Sequence, residues 1–512
     1  MLTPQADPKL DIGETGGEMQ RIMPTLAPDL YLQWRAGAVA AASLRETPPP
    51  SPPAERLLQQ VWRHQRFRRG ALKTLDGQRV TILHPGFWNR EAGPDFRDAL
   101  VQIGDDPPRS GDVEIDLSPD NWRQHGHHEN PAYRHVRLHV VWEADAHPTA
   151  LPTVSLCHAL DAPLPELQLW LDAGPGADLP AGQTGRCAAA LRELPAEWRT
   201  GLFAQAAKVR LQRKAAQFAA RARDAGWEQA LWEGLLAALG YKHNVWPMRR
   251  LAELRPRLLP AAGAGPVDAL TLQARLLGVG GLLPAEWPGA NAENAAFLRR
   301  LWDIWWRERE GLADGLLPRA VWRLSGVRPA NHPQRRLALA AHWLADAHWL
   351  RRVETWLTDA DSDTAAPDAL LAALAVGMDD FWSWHWTLRS ARMPRPQPLL
   401  GPPRATDLAI NVLLPWFWSR ADAGRNAALC QRVEQRYAAW PAAEDNTVLR
   451  LARQRLLAGT AASRPRTAAL QQGAIQVVRD FCDRSNARCE GCRFPDLVRR
   501  LIPGSAPAGA RP

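Results

Sequence analysis

Between residues 71 and 156 apolar positions tend to recur at every second residue, whereas after residue 191 they recur at the spacing of a helix. Strand side chains alternate between two faces and helical ones share a face every three to four residues, so this change of period divides the chain in two. The clearest strand is Gly111 to Leu117, where Val113, Ile115 and Leu117 alternate with Asp112, Glu114 and Asp116. The aliphatic set can enter a core, which leaves three carboxylates together on the opposite face. Like charges at that spacing repel. The face is therefore either open water or the seat of something positive, and a divalent cation held by oxygen ligands fits best.

The elements on either side follow the same logic. Residues 1–54 read as a peripheral extension, in which Asp29 to Ala36 predicts a short docking helix and Thr47 to Pro53 predicts a proline-rich extended linker. Glu55 to Arg69 places Leu58, Val61 and Trp62 at helical spacing and opens a domain. Ala71 to Leu83 predicts two short strands around Asp76-Gly77, a strong hairpin signal. Phe96 to Ile103 predicts the next strand, Gly104 to Ser110 a turn, and Ser118-Pro119-Asp120 the start of a helix or loop. In His135 to Glu143, Val136, Leu138, Val140 and Trp142 share one strand face, and His135, Arg137 and His139 share the other. A strand over Thr153 to Leu156 and a helix over Pro165 to Leu171 complete a small α/β domain over residues 55–185, with about five strands.

Residues 191–502 predict an all-α domain of ten or more helices, among them Ala196 to Ala225, Trp227 to Leu239, Ala295 to Arg309, Pro333 to His348, Leu350 to Leu357 and Ala427 to Ala438. No fixed repeat period emerges, and residues 503–512 read as a frayed tail.

Composition adds bounds more than identity. A chain of 512 residues is too long for one core. The net charge of +9 favours anionic partners, yet 58 of the 63 basic residues are Arg, a skew that fits a coding bias equally well. No apolar run is long enough to cross a bilayer and the first twenty residues lack a signal-peptide core, so we expect a cytoplasmic protein without membrane contact. In a reducing compartment the cluster Cys482, Cys489 and Cys492 points to a metal more than to a disulfide.

Acidic residues occur in the order Glu55 on a helix, Asp95 after Pro94 at the start of a strand, and Glu114-Ile-Asp116 on the following strand. That order resembles nucleases of the PD-(D/E)XK type across residues 55 to 145. The resemblance implies a restriction-endonuclease-like mixed sheet with flanking helices and hydrolysis of phosphodiester bonds in DNA or RNA. It also implies Mg²⁺ or Mn²⁺ held by Asp95 and Glu114, with Glu55 orienting the metal or its water. Two carboxylates can hold a divalent cation that clamps the scissile phosphate and acidifies its water. One departure matters: those enzymes carry Lys where this chain has Asp116. Either Arg123, His125, Arg137, His139 or Lys73 supplies the positive charge, or Asp116 is a third metal ligand. The competing expectation is an inactive nucleic-acid-binding or scaffold protein that kept the fold and lost the lysine.

A wider set of residues is similar to a bacterial family catalogued only as a domain of unknown function, numbered 2851. It includes Glu55, Trp62, Asp76-Gly77, Asn89, Gly93-Pro-Asp-Phe96, Gly111-Asp-Val-Glu-Ile115, Trp122, His125-Gly-His127, Tyr133 and Leu138-His139-Val140, and runs on through Tyr241-Lys-His-Asn244, Asn411-Val-Leu-Leu-Pro415 and Gln471-Gln-Gly473. The resemblance implies the architecture and no established activity. In that family a His often follows the Glu-Ile pair, at the place of Asp116.

The remaining chemistry is less specific. His125 and His127 fit a metal ligand or a general base, and with His128 they fit a solvated loop as well. Cys482-x6-Cys489-x2-Cys492 resembles the start of the iron–sulfur motif of helix-hairpin-helix DNA glycosylases and the C-terminal cluster of some PD-(D/E)XK nucleases. A zinc or iron–sulfur site there competes with free cysteines, because a fourth ligand is missing at residue 498: either Cys430 folds back to serve or the site is a relic. Most of the 24 tryptophans fit helix packing. Arg328, Asn331, Arg335 and Arg336 form the best polar loop of the helical half, at a helix start that could receive a phosphate of nucleic acid.

Overall fold

The computed structural model describes residues 26–43, 53–89, 91–143, 151–164, 167, 171, 183–259, 266–285, 291–359, 362–459, 464–482 and 489–502. Most of the predicted linker over Thr47 to Pro53, most of the predicted helix over Pro165 to Leu171, and the tail over 503–512 lie outside them.

The N-terminal part is a mixed sheet. Its strands are β1 (Val80–His84), β2 (Phe87–Trp88), β3 (Phe96–Ile103), β4 (Arg109–Asp116), β5 (Val136–Val141) and β6 (Thr153–Ser155), in the spatial order β1-β3-β4-β5-β6 with β2 also on β3. β1, β3 and β4 are antiparallel neighbours, whereas β4, β5 and β6 run parallel. The antiparallel pair β3–β4 needs only a tight turn, which Gly104 makes at φ +57. A parallel partner can be reached only by a crossover. Residues 117–135 therefore travel back over the sheet, carrying the short helix α3 (Asn121–Gln124) and the histidine loop with them.

The alternation in β4 sorts its side chains as expected. Val113 and Ile115 join Leu138 and Val140 of β5, and Val154 of β6, in one apolar cluster. Leu58, Val61 and Trp62 of helix α2 (Glu55–Arg63) complete that cluster, and the Trp62 indole N–H donates to the Pro85 carbonyl at 2.9 Å. α2 stops at Arg63 and not at Arg69, because Gln65 turns to a positive φ of +52 and the chain leaves the axis.

From Cys187 on, the described residues are mostly helical, and their only ladder contact is the isolated bridge Pro441–Thr467. Ala196–Ala225 and Trp227–Leu239 match their predicted spans to the residue, and helix Ala269–Val279 closes at Gly280 and Gly281. The expected docking helix is α1 (Leu30–Ser43), held by the buried Tyr31, whose hydroxyl lies 2.8 Å from Asp480 Oδ2. Trp343, Trp349, Trp382, Trp416 and Trp440 are fully buried, so packing accounts for them. No helix among the described residues is long and apolar enough to cross a membrane.

Helix Ala468–Val477 lies so close to Ala196–Ala225 that a Cβ on Gly473 would overlap the Phe203 carbonyl oxygen, a backbone atom that cannot swing away. Gly473→Ala is expected to destabilise the chain by about 1–3 kcal/mol through overpacking, read as a lower midpoint of urea unfolding. An unchanged midpoint would mean that the helices separate at no cost.

Candidate functional site

The polar face of β4 is not open water. Glu114 is 7 % exposed and Asp116 is 1 % exposed, because the crossover and β5 close over them. In the parallel register Glu114 pairs with His139 and Asp116 with Val141, so His139 projects on the same side as the two acids. His139 Nε2 lies 3.0 Å from Asp116 Oδ2. The crossover adds His125, with Nδ1 at 3.3 Å from Asp116 Oδ1, and His127, with Nε2 at 3.3 Å from Glu114 Oε1. Trp122 and Tyr133 hold the loop: Tyr133 stacks on His127 with centroids 4.1 Å apart, and Trp122 packs its edge on both His127 and Tyr133.

Asp95 enters from the start of β3. Its loop is tied by Asn89, whose backbone N–H donates to the Asp95 carbonyl at 2.7 Å and whose side-chain amide donates to the Pro94 carbonyl at 3.0 Å. The Asp95 amide donates to Glu114 Oε2 at 3.0 Å, and Asp95 Oδ2 accepts from the Ile115 amide at 3.2 Å. Gln59, one helical turn after Glu55, donates to Asp95 Oδ1 at 2.8 Å and to Glu55 Oε1 at 3.3 Å. Glu55, Asp95, Glu114 and Asp116 thus converge with His125, His127 and His139.

Charge is the dominant feature of this cluster. Burial, then the Glu55 carboxylate, pushes Asp95 up to about 7. Burial, then Asp95, pushes Glu114 up to about 9. Glu55 is also raised, by burial and then by Asp116, with His125 opposing. Tyr133 is pushed up to about 12 by burial and then by Glu114. Burial lowers His127 and so favours its neutral form, the form that ligates metal. The groups acting on these acids are chiefly one another, with no ammonium or guanidinium prominent among them. Among the described residues, the imidazoles of His125, His127 and His139 are the possible cations paired with Glu114 and Asp116.

Among the described residues, Asp116, His125 and His127 form a group whose ligand atoms all lie within 4.8 Å of one another. The sequence had pointed to Asp95 and Glu114 as the pair for a shared ion. They are adjacent, but the set at ligating distance is centred on Asp116, with Glu114 joined through His127.

In metal-free protein the raised acids set a pH dependence. A carboxyl group whose folded pKa lies above its unfolded value stabilises the fold fully below the unfolded value, near 4, and loses that contribution as pH rises through the folded value. With EDTA present, the melting temperature is expected to fall as pH rises from about 4 through 7 toward 9, the window between the ordinary carboxyl range and the raised values of Asp95 and Glu114. Glu114→Gln should flatten the upper part of that slope. A profile identical in the Gln variant would remove Glu114 as its source.

Other sequence candidates fall elsewhere. Arg137 is exposed and lies against Gly111 near the start of β4, beside Thr74, Pro107 and Leu151, and so does not reach the acids. Lys73 is exposed in the hairpin, bridged through its backbone to Arg79. Arg335 and Arg336 cannot receive a phosphate, because both are buried beneath the 382–399 loop. Arg335 donates to the carbonyls of Trp382, His385, Gln397 and Pro398, and Arg336 to that of Leu399 and to Asn331 Oδ1. Arg328 remains exposed, but the loop as a phosphate cradle does not stand. Cys430 lies on helix Ala427–Ala439 near the Trp418 carbonyl, away from Cys482, Cys489 and Cys492.

Sequence reasoning missed Gln59, and it named His125 but not His127 among the residues that could supply the positive charge. The spacing of Gln59 four residues after Glu55 was the available signal. For His127 the spacing held no clue, because its role depends on where the crossover lands.

A mixed sheet carrying a buried carboxylate–imidazole cluster, followed by a mostly helical region, defines the general class. More narrowly, a family model described as "Protein of unknown function (DUF2851)" matches residues 55–447, most of the chain, and the chain belongs to that family. No curated protein and no solved structure matches it.

Proposed function

We propose that this chain is a metal-dependent hydrolase of phosphodiester bonds in nucleic acid, with a PD-(D/E)XK-like site on its N-terminal, restriction-endonuclease-like sheet. The observation that carries the reading is the convergence of four acids with His125 and His127, where, among the described residues, burial and the acids themselves dominate the raised pKa values of Asp95 and Glu114. Asp116, His125 and His127 would hold the ion, with Glu114 beside them. Mixed imidazole and carboxylate donors suit Mn²⁺ better than Mg²⁺, which prefers all-oxygen coordination. Such an ion would polarise a phosphoryl oxygen and lower the pKa of bound water. His139, buried against Asp116 Oδ2, orients that carboxylate, as outer-shell partners do. Gln59 spans Glu55 and Asp95, keeping both acids directed to one spot.

A basic cavity supports an anionic partner. It has a volume of about 690 Å³ and lies beyond the C-terminal end of α2, not over the acids. Arg68, Arg69, Arg210, Arg221, Arg249 and Arg250 are among its lining residues, which carry more Arg and Lys than acid. The nine residues of α2 separate it from Glu55 by roughly 13 Å at 1.5 Å per residue, a separation that an extended polyanion can span.

One observation favours the non-catalytic reading: the position of the motif lysine is filled by Asp116, whose two oxygens both face histidines. A screen of single- and double-stranded DNA and RNA with Mn²⁺ or Mg²⁺ separates the two. Cleavage abolished by Glu114→Gln and by Asp95→Asn is the expected result. Binding without cleavage under either ion would leave the scaffold, and cleavage that survives Asp95→Ala would move the chemistry away from this cluster.

A further inference from the structure

We propose that Cys187, Cys482, Cys489 and Cys492 are the four ligands of one thiolate site that holds an iron–sulfur cluster, with Arg455 as its buried charge partner. The fourth ligand absent from the C-terminal motif comes from the other end of the helical region.

Cys187 opens helix Cys187–Glu193, and Cys482 closes the π-turn Val478–Cys482. Both belong to one apolar cluster with Phe481, Phe494 and Val498, and Cys492 packs against it. Cys489 and Cys492 bracket a tight turn in which Cys489 has φ +60 and Gly491 φ +72, and the Cys492 amide donates to the Cys489 carbonyl at 3.3 Å. A knuckle of that kind turns two side chains toward one point.

The four thiols sense one another. Cys482, Cys492 and Cys489 all lie near enough to Cys187 to act on its charge. Cys492 and Cys489 lie near enough to Cys482 to act on it as well. The other two cysteines lie elsewhere: Cys157 Sγ is 3.2 Å from Ser155 Oγ, and Cys430 is near the Trp418 carbonyl. None of the six is in a disulfide.

Arg455 sits among these thiols. Its side chain is 0 % exposed and its Nη2 donates to Cys489 Sγ at 2.9 Å. The Arg455 side chain also hydrogen-bonds Cys482, so one buried guanidinium touches two of the four thiols. Gly185 permits the approach. Its amide donates to the Arg455 carbonyl at 2.8 Å, and a Cβ there would lie only 2.7 Å from that oxygen and 3.5 Å from Cys187 Sγ.

Spacing decides between one ion and a cluster. A single tetrahedral zinc, with Zn–S of about 2.3 Å, sets its thiolates about 3.8 Å apart. Among the described residues the group found with ligand atoms within 4.8 Å of one another is Asp116, His125 and His127, and no three of these sulfurs meet that limit. A wider frame of four cysteines suits an iron–sulfur cluster. In that place the cluster would staple the C-terminal helix Phe494–Arg499 to Cys187–Glu193.

The test is metal and sulfide analysis of the full chain, purified without oxygen from iron-replete cells, together with its visible spectrum. Iron and acid-labile sulfide in equal, stoichiometric amounts are expected, with the broad visible absorption of a cluster. Cys187→Ala should lower iron at least tenfold, and Cys430→Ala should leave it unchanged. Cys187→Ser, checked for folding by circular dichroism, separates lost ligation from misfolding. Stoichiometric zinc without iron would overturn the cluster, full iron in a folded Cys187→Ser chain would overturn the fourth ligand, and a wild-type chain with neither metal would overturn the site. If both Cys187 variants misfold, the iron-to-sulfide ratio of the wild type still decides.

Discussion

Asp116→Ala is expected to lower the affinity for Mn²⁺ by at least about 100-fold, close to 2.7 kcal/mol, since loss of an outer-shell partner alone costs 10–100-fold. The carboxylate has two duties: Oδ1 faces His125 at 3.3 Å and Oδ2 faces His139 at 3.0 Å. Removing it deletes one prospective ligand, frees His125 to turn into solvent, and leaves His139 buried beside Trp122 without its carboxylate. Isothermal titration of the EDTA-stripped chain with Mn²⁺ measures the effect, and Arg137→Ala, away from the acids, serves as the variant that should not change it. Equal affinities for the wild type and Asp116→Ala would dismiss the Asp116-centred ligand set, whatever the nuclease screen shows.

Arg335→Met should destabilise the chain by about 3–5 kcal/mol, the range for losing one partner of a buried polar network. Arg335 is 1 % exposed, and its guanidinium gathers the carbonyls of Trp382, His385, Gln397 and Pro398, with Trp386 under its plane at 4.8 Å. Methionine fills much of the volume but donates nothing, so those carbonyls stay buried without this donor. Urea unfolding followed by tryptophan fluorescence gives the change. A loss below about 1 kcal/mol would show that water reaches the loop and that burial overstates the role of Arg335.

Short-range patterns determined a good part of the fold. Period-two alternation located β3 to the residue and assigned Val113 and Ile115 inward, with Glu114 and Asp116 on the shared outer side. The 3.6-residue period located Ala196–Ala225 and Trp227–Leu239 equally well, because both periods follow from backbone geometry that each segment carries in itself. That Glu55, Asp95 and Glu114 would meet was implied by the resemblance of their order to the PD-(D/E)XK motif, and the three do lie together. The alternation of β4 likewise placed Glu114 and Asp116 together on one face, a concentration of like charge.

What neutralises a buried charge was not legible, since spacing along the chain says nothing about a neighbour 20 or 300 residues away. The parallel pairing of β4 with β5 decided that His139 faces Asp116, and the crossover it requires decided that His125 and His127 land on the acids. Packing decided the reverse for Arg335 and Arg336, which read as exposed phosphate ligands in a polar loop yet hold backbone carbonyls under a loop some 50–60 residues further on. It also set Cys187 beside cysteines nearly 300 residues later. Sequence alone therefore determined which segments bury which faces, and tertiary structure decided which charges share a pocket, because electrostatic partners are chosen by distance in space after the apolar faces have closed.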